Sequence, residues 1–393
     1  MYSPKSSYKR CHSAPDAEST SSVLIIISIL IASLMVFSFG CVKKEEKEIK
    51  IGAILPLTGD AAEWGSNTKN GIDLAVEKIN NSGGINGRKI KILYEDTQGT
   101  PQNGAAAIQK LINIEKVQAV IDDSMSSVTL AMAPIAEKNK VVLLSTGATA
   151  PKISEAGDYI FRIWNSDDLE GKVSANFIYN ELKFKNAAIF YINNDYGKGL
   201  ESVFKKEFES LGGKILISEN FGQSDTDFKT QVTKIKNIKA EAIYLVGYPK
   251  EISLILKQAS ELKINSKIIG TVTFEDPNII KLAGKAAESV IYPYPVQPNK
   301  SDKVVSEFLT QYKEKYGKDP GITCDVGYDA VNMLAQAIIS NGMKGEDIQK
   351  GLMMTKDFHG ASGVMTFDKN GDVNKPIEMK TIKNGKFFWL KNE

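Results

Sequence analysis

Two successive series of short β-branched runs, each run followed by an amphipathic helical segment, predict an α/β protein of two doubly wound, Rossmann-like lobes. The first series begins at Ile49 and the second near Asn186, and 393 residues suffice for two separate cores. Between and beyond the two series there is no solenoid-period repeat and no low-complexity tract.

Residues 1–41 read as an address rather than as fold. Val23 to Phe39 is almost continuously apolar, is preceded by Lys5, Lys9 and Arg10, and ends at Gly40-Cys41. A basic start, an apolar core and a small residue before a cleavage point describe a secretory signal. Cys41 after Gly40 resembles a lipobox, in which the thiol carries a diacylglyceryl group, although Ser38 and Phe39 depart from its aliphatic and small positions. The apolar run also approaches bilayer-spanning length, so an uncleaved anchor is the competing reading. Both place the rest of the chain outside the cytoplasm, tethered to the cell membrane through the charged stretch 42–48.

In the first series, IKIGAIL reads as a buried strand, followed by a helix from Lys69 to Asn80 that has Ile72, Leu74, Ala75 and Ile79 at helical spacing. KIKILYED, VQAVID and VVLLST are the next strands, with helices around 105–114 and 128–138. In the second series the strands are AAIFYI, KILISE, AEAIYLVG and KIIG, with helices over 200–211, 228–238 and 251–262. The run Tyr292-Pro293-Tyr294-Pro295 reads as punctuation where the chain returns to the first lobe. Ligands of such sheets sit outside the carboxyl ends of the strands, so residues just after strands are the candidates.

Composition excludes several functions. A formal charge of +2 leaves no electrostatic footprint for nucleic acid. Beyond residue 41 the chain has one cysteine, Cys324, and one histidine, His359, which excludes an internal disulfide and a Cys/His zinc site there. His359 lies between Phe358 and Gly360 and reads as a surface or loop residue. With no phosphate loop and no nucleophile–base pair, the sequence predicts a protein that is not an enzyme and uses no cofactor.

The stretch IGAILPLTGDAAEWG, then AVEKINNSGGINGRKIKILYED, MSSVTLAMAPIAEKNKVVLLSTGATAP, YIFRIW, NNDYGKGL, LVGYPKE and GYDAV occur in that order from Ile49 onward. Together they resemble the branched-chain (Leu/Ile/Val-type) amino-acid binding proteins of ABC transporters, with the type I periplasmic binding fold. The resemblance implies two lobes, 49–167 plus 297–375 and 168–296 plus 376–393, joined by three crossover strands and closing over a ligand by a hinge. It implies ABC permease and ATPase subunits as partners. A ligand-sensing ectodomain of the same fold, acting in signalling rather than uptake, is the alternative.

The resemblance also assigns a site. Ser126 follows a strand and opens a helix, where hydroxyl and amides suit an anion. With Gly147, Ala148 and Thr149 it is expected to hold the carboxylate of an amino-acid-like ligand; capping of helices is the bland reading of the two hydroxyls. Trp64, Tyr196 and Tyr248 are expected as walls, and Ser124 and Met125 at the side-chain pocket. The acid that family members use for the ammonium is missing at Thr271, Val272 and Thr273. Glu275 or Asp276 could shift into the cleft, another acid could replace it, or the ligand has no ammonium. Asp122, Asp123 and Asp325 are acids at unusual positions near the expected cleft, and they favour a more polar or cationic ligand than leucine.

Overall fold

The computed structural model describes residues 48–122 and 125–392. Strands β1 (Glu48–Leu55), β2 (Lys89–Asp96), β3 (Ala119–Asp122), β4 (Val142–Ser145) and β5 (Ile160–Arg162) form a parallel sheet in the order β2-β1-β3-β4-β5. β3 and β4 are buried at every position, because helices cover both faces of the sheet. Helices α1 (Ala62–Asn81), α2 (Pro101–Asn113) and α3 (Ser126–Asn139) make the connections. The first turns of α1 precede the predicted start at Lys69. Gly65, Ser66 and Asn67 in those turns are weak helix formers, and tertiary packing overrides that weakness. Gly65 is needed there, since a Cβ would stand 2.2 Å from the Pro56 carbonyl oxygen.

The second sheet has seven strands. β6 (Asn186–Ile192), β7 (Lys214–Phe221), β8 (Ala242–Val246), β9 (Lys267–Ile269) and β10 (Ile291–Pro295) are parallel in the order β7-β6-β8-β9-β10. Helices α4 (Asp167–Asn176), α5 (Asp195–Ser210), α6 (Lys229–Ile238), α7 (Pro249–Glu261) and α8 (Pro277–Ala283) belong to this series. Then α9 (Lys303–Tyr316), α10 (Cys324–Asn341) and α11 (Gly345–Met353) follow, with a hairpin of β11 (Phe358–Gly360) and β12 (Gly363–Met365). The hydrophobic core that holds α10 is the one that holds α1 and β1. β13 (Ile377–Lys383) and β14 (Lys386–Trp389) return antiparallel to the second sheet beside β10.

The Tyr-Pro-Tyr-Pro run is therefore a strand, not punctuation. Val296 donates its amide to Pro376 on the β13 side, whereas the Ile291 carbonyl accepts from Gly270 on the β9 side. By the alternation of a strand, positions 293 and 295 face β9, which ends at Ile269. Both prolines thus sit where no ladder donor is required.

The chain passes between the sheets three times: after β5, after β10 and before β13. The first and third passages run side by side. Asn165 exchanges two hydrogen bonds with the backbone of Lys375, at 2.9 and 2.6 Å. Arg162, fully buried, spends all five N–H donors: Nε and one Nη2 bond on Asp372, the other on Ser154, and Nη1 on the carbonyls of Thr149 and Ala150. In each sheet the strand order reverses at one point, between β1 and β3 and between β6 and β8. Such switch points open crevices at the carboxyl ends of the strands.

Candidate functional site

A cavity of about 70 Å³ lies where the two crevices face each other. Trp64 follows β1, Ser126 follows β3, and Gly147 and Thr149 follow β4; Tyr196 follows β6, Tyr248 follows β8, and Thr273 and Glu275 follow β9. Trp164, Val272, Tyr294, Ile322 and Thr323 complete the wall. The sequence reading did not single out these five as lining residues. Trp164 was accessible to it, since it stands two residues beyond β5. Tyr294 was concealed by the prolines, and Ile322 and Thr323 precede a helix rather than follow a strand.

At one end of the cavity, Ser126 at the start of α3 accepts from the amides of Thr149 and Ala150, at 3.2 and 3.1 Å. Two donors occupy the oxygen's lone pairs, so its own proton is the part it can still offer. Arg162 grips the carbonyls of the same two residues, so the 149–150 loop is fixed from both faces. The first-turn amides of a helix have no intrahelical partners, and the dipole adds positive potential. Such an arrangement can accommodate an anion.

At the other end a chain of hydroxyls runs away from the cavity. Tyr196 Oη donates to Thr271 Oγ1 at 2.9 Å, and Thr273 Oγ1 donates to the Gly247 carbonyl at 3.0 Å. With the Thr273 proton committed, the 2.8 Å contact between the two threonines is donated by Thr271. The oxygens of Tyr196 and Thr273 are left as acceptors.

Aromatic rings form the sides. Tyr196 and Tyr248 stack with centroids 5.7 Å apart, Trp64 meets Tyr248 edge-on at 6.0 Å, and Trp164 meets Tyr294 edge-on at 6.2 Å. Trp64 Nε1 also reaches across the cleft to Asp276 Oδ2 at 2.7 Å, a buried hydrogen bond. Outside it, Asn278 donates to Glu63 (2.7 Å), Lys250 to Asp60 (2.9 Å) and Ser127 to Asp195 (2.9 Å). Thr323 Oγ1 holds the Trp64 carbonyl at 3.1 Å. α10 can come that near because Gly71 and Gly327 let the two backbones touch: a Cβ on Gly71 would lie 1.9 Å from the Cys324 carbonyl oxygen.

Residues 48–386 match the periplasmic binding protein family. The chain belongs to that family. Over 348 residues it is 28% identical to a leucine-, isoleucine-, valine-, threonine- and alanine-binding protein of Pseudomonas aeruginosa, covering 88% of this chain and 93% of that one. Its structure is similar to that of a leucine-binding protein, LivK, from Thermotoga maritima, with a TM-score of 0.82, 32% identity and coverage of 87% and 97%. It is also similar to the branched-chain substrate-binding protein LivJ of Streptococcus pneumoniae in complex with isoleucine, with a TM-score of 0.79, 30% identity and coverage of 86% and 97%. The chain is a solute-binding protein of the LivJ/LivK type, and the two-lobed α/β fold is the one the sequence predicts.

Not every residue singled out in the sequence lines the cavity of this periplasmic binding protein. Trp64, Ser126, Gly147, Thr149, Tyr196, Tyr248 and Glu275 do. Ala148 does not; it is fully buried in the core beside β3 and β4, because alternate residues of the loop point inward. Met125, as the N-cap of α3, faces the outer cleft, a larger cavity of about 780 Å³. Ser124, Asp123 and Cys41 lie outside the described residues. Asp325 opens onto an adjoining cavity of about 640 Å³ instead, one that shares Glu275, Tyr294 and Ile322 with the first. Burial raises its carboxyl above the ordinary range, and the charge of Lys375 counters the rise. Asp122 is fully buried at the end of β3. Neither Asp122 nor Asp325 lines the smaller cavity.

The two acids after β9 are both engaged. Glu275 is paired with Lys380 (2.5 and 2.6 Å) and accepts from Tyr292 Oη at 2.7 Å. Asp276 caps α8 through the Asn278 amide and takes the Trp64 bond; burial raises its carboxyl, and those donors counter the rise. His359 is exposed in the β11–β12 hairpin and lines none of these cavities.

Proposed function

We propose that this protein captures an amino acid, or a related small carboxylate or amide, between two closing lobes and delivers it to an ABC importer. The observation that carries the reading is Ser126, whose oxygen is saturated by the Thr149 and Ala150 amides and whose proton therefore points at a ligand anion. Thr149 supplies a second hydroxyl at the same end. The acceptor oxygens of Tyr196 and Thr273 face the opposite end, where they suit an ammonium or an amide N–H without a free carboxylate. Between them, aromatic rings enclose an apolar side chain. The names of the P. aeruginosa, T. maritima and S. pneumoniae relatives, which bind leucine, isoleucine or similar amino acids, support this choice.

The lobes in this reading are 49–167 plus 297–375 and 168–296 plus 376–393. The closed form docks onto a permease pair driven by two ATPases, and a lipid on Cys41 tethers the protein to the membrane. The test is calorimetry with L-isoleucine and its primary amide on Ser126→Ala and Thr149→Ala. Each variant should bind the acid about ten- to a hundredfold more weakly, as for a charged hydrogen bond, and the amide nearly as before. Equal losses for acid and amide would refute the carboxylate reading.

A further inference from the structure

Directly behind the anion end of the cavity lie two carboxylates that form no salt bridge among the described residues. Asp167 and Glu170 occupy one face of the first turns of α4, and both are buried, at 0% and 4% exposure. Glu170 accepts the Val272 amide at 3.0 Å. Neither oxygen of Asp167 has a well-formed hydrogen bond; the group that faces it is the Thr149 hydroxyl, and its own amide donates to the Thr149 carbonyl at 2.9 Å. Arg162 is the nearby cation, and its five donors are all spent on Asp372, Ser154 and the two loop carbonyls. The other charged or titratable groups facing the pair are Asp168 on α4, Tyr196 on α5 and Tyr244 on β8. None of these three carries a compensating positive charge. The positive end of α4 favours an anion by less than burial costs it.

We propose that Asp167 is a positioning residue that binds a proton and lends it to Thr149, so that Thr149 can donate to the ligand anion. A protonated Asp167 donates to Thr149 Oγ1, and the Thr149 proton is then free to point into the cavity. When Asp167 gives its proton to solvent, the Thr149 hydroxyl turns to donate to the new carboxylate instead. It then presents lone pairs to the ligand, with a second negative charge behind them. Carboxylate capture is therefore favoured at low pH and weakens as pH rises. The direction agrees with the burial of the site: desolvation pushes the Asp167 carboxyl up to about 8, against opposing contributions from Thr149 and Arg162, and raises Glu170 as well.

This inference rests on the carboxylate reading of the cavity, and the test separates the two. L-isoleucine is titrated calorimetrically into the full-length protein and into Asp167→Asn between about pH 6 and pH 9, so that ionisation of the ligand cancels in the ratio. The asparagine amide mimics the protonated acid by donating to Thr149. The wild-type affinity, relative to that of the variant, should fall about tenfold across this range. Parallel profiles would overturn the proposal. A second measurement needs no ligand. An acid raised on folding contributes stability below its unfolded value that is lost as pH rises through the folded one. The melting temperature of wild type relative to Asp167→Asn should therefore fall between about pH 4 and pH 8. A constant difference would show the carboxyl to be ionised in the native protein and would refute the proposal. If isoleucine binds neither protein at any pH, the amino-acid reading fails, and the melting comparison still decides the protonation.

Discussion

Trp64→Phe removes one hydrogen bond from the cleft and little else. The indole N–H reaches Asp276 Oδ2 at 2.7 Å, and the carboxylate is only 2% exposed. The two residues belong to opposite sides of the cleft, so the bond exists only when the lobes meet. In an open form both groups are hydrated and the substitution costs nothing there. In the closed form Asp276 keeps the Asn278 amide but loses the partner of its second oxygen, which stays buried. A hydrogen bond to a charged group is worth about 1.5–3 kcal/mol, so closure, and with it ligand affinity, should weaken about ten- to a hundredfold. The melting temperature without ligand should hardly move. Burial already raises the Asp276 carboxyl, and loss of the indole removes one of the groups holding it down. A neutral Asp276 is cheaper to bury, so the defect should be smaller near about pH 5 than near about pH 8. Isothermal calorimetry of wild type and variant with L-isoleucine at both values measures each term. An unchanged affinity would show that the Trp64–Asp276 bond does not hold the cleft closed. A lowered melting point without ligand would place Trp64 in the structural core instead.

Ser126→Ala leaves the Thr149 and Ala150 amides without their acceptor, at about 1–3 kcal/mol for each buried donor, so the ligand-free protein should also melt earlier. An unchanged melting point would mean that water replaces the hydroxyl. Asp372→Ala strands the buried Arg162 charge and should cost about 3–5 kcal/mol in urea unfolding; a loss under about 1 kcal/mol would refute the pairing. Cys41→Ser should release the protein from membranes if the thiol carries the lipid, and continued sedimentation at precursor size would favour an uncleaved anchor.

The alternation of strand and helix is a local property, and the sequence alone determined it: IKIGAIL, VQAVID, VVLLST and AAIFYI are strands because three or more apolar residues in a row fit a sheet covered on both faces. The family resemblance pointed to Ser126, Thr149, Tyr196 and Tyr248, and each does stand within a few residues of the strand that positions it. Only the tertiary structure decided what those residues meet. Trp64 and Asp276 are 212 residues apart, Arg162 and Asp372 are 210, and Glu275 and Lys380 are 105. No spacing rule links such pairs, because their meeting depends on sheet order and on where the chain passes between the sheets. The Tyr-Pro-Tyr-Pro strand was concealed for the same reason: its prolines are tolerated only because β9 stops beside them. What each acid meets was likewise decided by the fold. Glu275 faces Lys380 and Asp325 faces Lys375, while Asp167 faces a hydroxyl with every nearby guanidinium donor already spent. A carboxylate's role depends on what remains unpaired around it, and that depends on contacts made far along the chain.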